Sequence, residues 1–157
     1  MNPRIIEQLE ALYATLPTVQ CQRKCQACCG PILIPKIEAQ RLEEKRGFLQ
    51  LITGIEGAKR AYLPAPEIIE REFVGLKPEP FQDYAGATSS LSCIFLAPIV
   101  GSCMAYSIRP LVCRVWGTMD NEFMRCPFGC VPTPRWLTME EHKELILKVV
   151  AIQKGET

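Results

Sequence analysis

Apolar residues recur at helical spacing near both ends of the chain. In the N-terminal segment they follow Asn2, whose side chain can cap a helix, and Pro3, which fits the first helical position without losing a hydrogen bond. In the C-terminal segment they accompany Thr138 and Glu141, which have the spacing of a capping box. We therefore expect two flanking helices, each with one buried face, within residues 1–17 and 138–152.

The pattern between these helices changes along the chain. Residues 20–30 show neither the helical nor the strand period and predict a loop. Helical spacing then returns, with Pro35 as a start signal and Gly47 as a stop signal, and predicts helices over 35–46, 55–62 and 67–73. The polar, proline- and glycine-containing stretch 77–90 predicts a mobile connecting loop.

From Leu91 onward, short apolar runs are broken by prolines and glycines, which favours short extended pieces over long helices. The turn-favouring pair Asp120-Asn121 predicts a small hairpin with arms near 112–116 and 122–124. The fold class we expect is mainly α with short irregular or extended segments.

Composition limits the size of the fold and the kind of partner. With 157 residues, of which 48% are hydrophobic, the chain can bury one core, so we expect a single domain over 1–157. Its 18 basic and 17 acidic residues nearly cancel and form no block, which argues against nucleic acid and membranes as partners. No apolar run suits a signal peptide, so we expect a cytoplasmic protein.

Nine cysteines are the chemically distinctive feature. The count is odd and the chain long for a secreted disulfide scaffold, so thiols available for a metal or for redox chemistry are favoured. An isolated cysteine can instead be a small buried apolar residue. We treat all nine as candidate metal ligands: Cys21, Cys25, Cys28, Cys29, Cys93, Cys103, Cys113, Cys126 and Cys130.

The spacing of the cysteines predicts a site built from two distant segments. Four of them lie within residues 21–29, and a two-residue gap lets two sulfurs bind one ion or two irons of one cluster. The other five follow residue 90. Nine thiols exceed the four that one tetrahedral zinc or one 4Fe-4S cluster needs, which leaves two sites, or one site plus further cysteines. The small fold is therefore expected to be organised around a cysteine-ligated metal site.

Residues around the cysteines suggest how such a site is tuned. Arg109 and Arg114 bracket Cys113, where guanidinium groups can lower thiol pKa values or donate hydrogen bonds to cluster sulfurs; a surface ion pair is the alternative. His142, the single histidine, is far from every cysteine in sequence, which favours an all-sulfur site. An apolar shell that excludes water is expected from Phe95, Tyr106, Trp116 and Phe128.

Two motifs together resemble a known family. Cys25-x2-Cys28-Cys29, followed by the run from Gly101 to Arg114, GSCMAYSIRPLVCR, is similar to the YkgJ-type cysteine cluster proteins, described as zinc- or iron-chelating domains or iron-sulfur oxidoreductases. A related cysteine pattern occurs in flagellin lysine-N-methylase. The resemblance spans about 21–130 and implies metal chelation, with a core of Cys25, Cys28, Cys29, Cys93, Cys103 and Cys113, joined by Cys21 and less directly by Cys126 and Cys130.

Three functions follow from these observations. The first is a redox protein that holds a 4Fe-4S cluster, as an iron-sulfur oxidoreductase or with an unidentified redox or protein partner. The second is a non-enzymatic zinc-binding module with one or two all-cysteine sites. The third, resting on family association alone, is a methyltransferase-associated protein. In each metal-binding case we expect the principal ligands to be Cys25, Cys28 or Cys29, Cys103 and Cys113, with metal binding coupled to folding.

Overall fold

Helices are the main regular elements of the chain. The computed structural model describes residues 1–22, 32–53, 62–63, 73–76, 79–80, 91–92, 95 and 103–156. Its helices are α1 (Pro3–Ala14), α2 (Lys36–Thr53), α3 (Leu111–Val115) and α4 (Met139–Lys154), with single 3-10 turns at Tyr106–Ile108 and Glu122–Met124. Within these residues, no helix combines the length and apolar character needed to cross a membrane.

The strands of the described residues are short and pair in three small antiparallel sheets. The first sheet pairs β1 (Thr18–Val19) with β7 (Pro132–Thr133). The second has the order β2-β4-β3, from Ile32–Pro35, Phe73–Leu76 and Tyr62–Leu63. The third pairs β5 (Glu79–Pro80) with β6 (Leu91–Ser92). The partly helical fold with few strands agrees with the expected fold class in this respect.

The ends of the two flanking helices follow the predicted capping. The Asn2 side chain accepts a hydrogen bond from the amide of Arg4 at 3.0 Å, and Pro3 occupies the first turn of α1. At α4, the Thr138 hydroxyl accepts from the amide of Glu141 at 3.2 Å, while the Glu141 carboxylate accepts from the amide of Thr138 at 2.8 Å. Both helix predictions and the capping box are confirmed.

The main core lies where α1, α3 and α4 meet. Leu9 of α1, Val115 of α3 and Val149 of α4 are completely buried, and Met119 is buried beside them. A second, smaller cluster forms around Ile34, Leu42, Phe95 and Ala105. The N-terminus of α2 is tied to the end of α4, because the amide of Ile37 donates to Oε1 of Gln153 at 3.0 Å. The C-terminal helix is therefore anchored to the start of α2.

Two predictions of local structure are wrong. The second helix does not stop at Gly47 but continues to Thr53, since one interior glycine costs only about 1 kcal/mol relative to alanine. The hairpin near Asp120-Asn121 does not form: its first arm is α3 and its second is a 3-10 turn. The Asn121 side chain caps that turn by accepting from the amide of Phe123 at 2.8 Å.

Other predictions fall largely outside the described residues. Residues 23–30 of the predicted loop, 55–61 of the predicted third helix and 67–72 of the next helical turns are not described. At their ends the structure has strands instead, because Tyr62 begins β3 and Phe73 begins β4. Of the expected mobile loop 77–90, only 79–80 is described, as β5.

Two leucines of α4 test where the core lies. Leu145 is 8% exposed and Leu147 is 67% exposed, so Leu145→Ala opens a cavity in the core while Leu147→Ala makes the same change at the surface. We expect the first to lower the free energy of unfolding by about 2–4 kcal/mol and the second by less than about 0.5 kcal/mol. Urea denaturation measures both. Equal losses would contradict this assignment of the core.

Candidate metal centre

The pairing of β1 with β7 brings cysteines from opposite ends of the chain together. Val19 lies opposite Pro132 in this antiparallel register. Cys21 follows Val19 by two residues and Cys130 precedes Pro132 by two, so both cysteines come at the same end of the strand pair. The Cys130 thiol donates to the carbonyl of Gln20 at 3.3 Å, which holds it against this N-terminal segment. Residues that are more than one hundred positions apart in sequence thus share one place in the fold.

A tight turn adds Cys126 to this place. The amide of Gly129 donates to the carbonyl of Cys126 at 3.0 Å, and Gly129 adopts the left-handed conformation, with φ 69°, that closes the turn. The thiols of Cys126 and Cys130 are hydrogen-bonded to each other. We call Cys21, Cys126 and Cys130 the strand-end thiols.

Close approach to Gly117 fixes the position of this turn. Gly117 has φ 85°, and a Cβ built there would lie 3.5 Å from Cγ1 of Val19 and 3.7 Å from Cβ of Cys126. Its amide donates to the carbonyl of Met124 at 2.7 Å. The left-handed residue therefore packs between β1 and the start of the cysteine turn.

The strand-end thiols influence one another electrostatically. The pKa of Cys130 is raised, first by its hydrogen bond with Cys126, then by partial burial and by the charges of Cys126 and Cys21; a hydrogen bond from the backbone of Gln22 opposes this. Neighbouring thiolates repel, and a bound cation relieves that repulsion because thiolates are the form that ligates metals. Sulfur donors of this kind suit zinc and iron-sulfur clusters.

The described residues do not by themselves complete a metal site. Within them, no group of three or more histidine, cysteine, aspartate or glutamate side chains is arranged to hold a metal ion. Four candidate ligands, Cys25, Cys28, Cys29 and Cys93, lie outside the described residues. The ligand roles assigned to all nine cysteines accordingly stay predictions.

The remaining two described cysteines lie before α3 and within it. Cys103 is partly buried against the smaller core cluster around Ile34 and Phe95. Cys113 lies in α3, partly exposed, and its amide donates to the carbonyl of Pro110 at 3.0 Å. No disulfide involves any of the five described cysteines.

Both arginines of the predicted site support the turn before α3. Nε of Arg109 donates to the carbonyl of Tyr106 at 3.1 Å, and its guanidinium lies 3.7 Å from the centroid of the Tyr106 ring. Arg114 donates from Nε to the carbonyl of Arg109 and from Nη2 to that of Ser107, both at 2.7 Å. These contacts fix the backbone between Cys103 and Cys113, and sulfur tuning by either arginine stays a prediction.

A buried glutamate is the feature that sequence reasoning missed. Glu38 of α2 is 2% exposed, and its Oε1 accepts hydrogen bonds from the hydroxyl of Tyr13 and, at 2.6 Å, from the amide of Leu111. Burial raises its pKa to about 7, although these hydrogen bonds and the charges of Arg114 and Arg41 favour the ionised form. Its place in the first turn of a helix is typical of a solvent-exposed acid, so the sequence carries no signal of burial.

The aromatic residues and the histidine differ in exposure. Phe95 is 3% exposed and Phe128 is 48% exposed, and their role in excluding water from a metal stays a prediction. The His142 ring is partly buried, which lowers its pKa, and its Nε2 has no hydrogen-bond partner among the described residues. That the metal site is all-sulfur stays a prediction.

Comparison with known proteins gives the family. Residues 20–131 match the CxxCxxCC family, described as "Putative zinc- or iron-chelating domain". The chain belongs to this family. The CxxCxxCC match covers well over half of the 157 residues and includes all nine cysteines, and it confirms the resemblance stated above. No curated protein and no solved structure matches the chain.

Glu38 predicts a distinctive dependence of stability on pH. Because its pKa is about 7 in the folded protein and 4.5 ordinarily, the folded protein binds this proton more tightly than the unfolded chain. The contribution to stability is full below pH 4.5 and is lost as the pH rises through 7, and it amounts to about 3 kcal/mol. Glu38→Gln has no such proton.

The test compares wild type and Glu38→Gln in the same metal state across pH. We expect the free energy of unfolding of wild type minus that of the variant to fall by about 2–3 kcal/mol from pH 5 to pH 8. Subtracting the variant removes the pH dependence of the cysteines, which both proteins share. A difference that stays constant across this range would contradict the assignment.

Proposed function

We propose that this CxxCxxCC protein uses cysteine thiolates to hold a 4Fe-4S cluster and acts in electron transfer with an unidentified redox partner in the cytoplasm. Membership of a zinc- or iron-chelating family supports metal binding. The observation that carries the proposal furthest is the hydrogen bond from the Cys130 thiol to the carbonyl of Gln20, the neighbour of Cys21, because it brings sulfur donors of two segments near each other.

The strand-end thiols would contribute sulfurs to a centre that other ligands complete, because no three side chains of the described residues already form a metal site. Cys25 lies four residues after Cys21 in sequence, so at most about 14 Å of extended chain separates their Cα atoms. We infer that ligands from the 25–29 motif join them in one sulfur-ligated centre. Cys103 and Cys113, on the segment around α3, would either bind a second metal or supply the missing ligands of the first.

Zinc is the second candidate, because the family description includes it and the same thiolates bind it. A closed tetrahedral site would then be structural, and it would cross-link the segment after β1 to the turn before β7. The two metals differ in their consequences: a cluster exchanges electrons and absorbs visible light, whereas zinc has no redox chemistry and no colour.

The experiment compares the anaerobically purified wild type with Cys126→Ser/Cys130→Ser and with Phe128→Ser. Phe128 lies in the same turn and is 48% exposed, so its substitution matches the disturbance of the loop but leaves both thiols. Iron, acid-labile sulfide and zinc are measured per chain, together with the visible spectrum. We expect the double variant to lose at least about half of the metal, because the serine hydroxyls do not replace two lost thiolate ligands. We expect Phe128→Ser to keep its metal.

Each result has a definite meaning. Iron with sulfide and a broad visible band supports the cluster, and stoichiometric zinc without colour supports the structural alternative. A wild-type protein with neither metal, or a double variant with undiminished metal, would overturn the assignment of the strand-end thiols.

A further inference from the structure

The Glu38 carboxylate joins three helices through one oxygen. Its Oε1 accepts from the hydroxyl of Tyr13 on α1 and from the amide of Leu111, the first residue of α3, while Glu38 itself lies on α2. Its Oε2 is buried and has no hydrogen-bond partner among the described residues. A buried carboxylate is costly unless it is well paired, so these contacts are a specific feature of the packing.

This contact determines where α3 begins. The amides of the first helical turn have no partner within the helix, and Glu38 provides one for Leu111. Leu111 and Val115 are buried on one side of α3, while Cys113 between them is partly exposed. Displacing the start of this five-residue helix would therefore displace Cys113.

Arg114 makes a second connection between α1 and α3. Its guanidinium lies 4.3 Å from the centroid of the Tyr13 ring and also binds the carbonyls of Ser107 and Arg109. Tyr13 thus contacts α3 through its ring and Glu38 through its hydroxyl. Tyr13 therefore supports the segment that carries Cys113 in two ways, through its ring to Arg114 and through its hydroxyl to Glu38.

We propose that Glu38 is a positioning residue of the metal centre, which holds α3 against α1 and α2 and so sets the position of Cys113. The proposal rests on the proposed function, in which Cys113 is a ligand. Without the carboxylate, the Leu111 amide and the Tyr13 hydroxyl lose their acceptor, α3 loses its fixed start, and Cys113 becomes accessible to reagents.

The test measures alkylation of individual cysteines by iodoacetamide in anaerobic, reduced protein well below its melting temperature, before and after the metal is removed with a chelator. The rates of the metal-free samples are the ones compared, because in them no metal protects either thiol. Peptide mass spectrometry gives the rates at Cys113 and, as an internal reference, at Cys130. In Glu38→Ala we expect labelling of Cys113 to become about ten-fold faster, because a buried donor loses its partner, while Cys130 keeps its rate. Glu38→Gln retains an acceptor oxygen and is expected to stay near the wild-type rate.

Thr138→Ala is the matched control for a general loss of stability. It removes the cap of α4, far along the chain from α3, and leaves Glu38 intact. We expect it to leave the ratio of Cys113 to Cys130 labelling unchanged. If Glu38→Ala accelerates both cysteines equally, as a general loosening would, or leaves Cys113 unchanged, the positioning role is overturned.

Two further measurements keep the outcome decisive. If Glu38→Ala does not fold, Tyr13→Phe removes only the hydroxyl donor, and we expect it to accelerate Cys113 alone by a smaller factor; an unchanged Cys113 rate would contradict the proposal. Metal content is determined on the same wild-type sample. A metal-free wild type would refute the proposed function, while the labelling ratio would still decide whether Glu38 positions Cys113.

Discussion

The packing of α1 against α4 is the constraint on which the rest of the described structure depends. Leu9 and Val149 are both completely buried in the core these helices share. β1 follows α1 directly and β7 precedes α4, so bringing the helices together also brings two-residue strands into register. Strands this short are marginal alone. The hydrophobic core therefore positions the strand-end thiols, and a metal would act on an arrangement that apolar burial already favours.

The two groups of thiols are supported by different physical means. The strand-end thiols depend on backbone pairing and on left-handed glycines that allow tight turns. The segment with Cys103 and Cys113 depends on arginine contacts to carbonyls and on the buried Glu38 carboxylate. Apolar packing alone does not fix the direction of a side chain, whereas hydrogen bonds do, which explains why costly polar groups are buried near a predicted ligand.

Sequence reasoning succeeded where the signal is local. The caps at Asn2 and Thr138 act over two and three residues, so both flanking helices could be predicted. It failed at Asp120-Asn121, where turn-forming residues cap a 3-10 turn instead of joining two strands, because burial of Val115 in the core favours a helix before them. The hydrogen bond from the Cys130 thiol to the carbonyl of Gln20 depends on tertiary packing, and no local sequence pattern predicts it. The cysteine spacing indicated the chemistry of the site but not which thiols meet.

The central claim is that cysteine sulfurs from distant segments share a metal. X-ray absorption at the iron and zinc edges of the protein as purified under anaerobic conditions tests it most directly, because it reports the atoms bound to each metal. The account predicts a first shell of sulfur, at about 2.3 Å if the metal is zinc. A first shell of oxygen or nitrogen, or the absence of both metals, would contradict it.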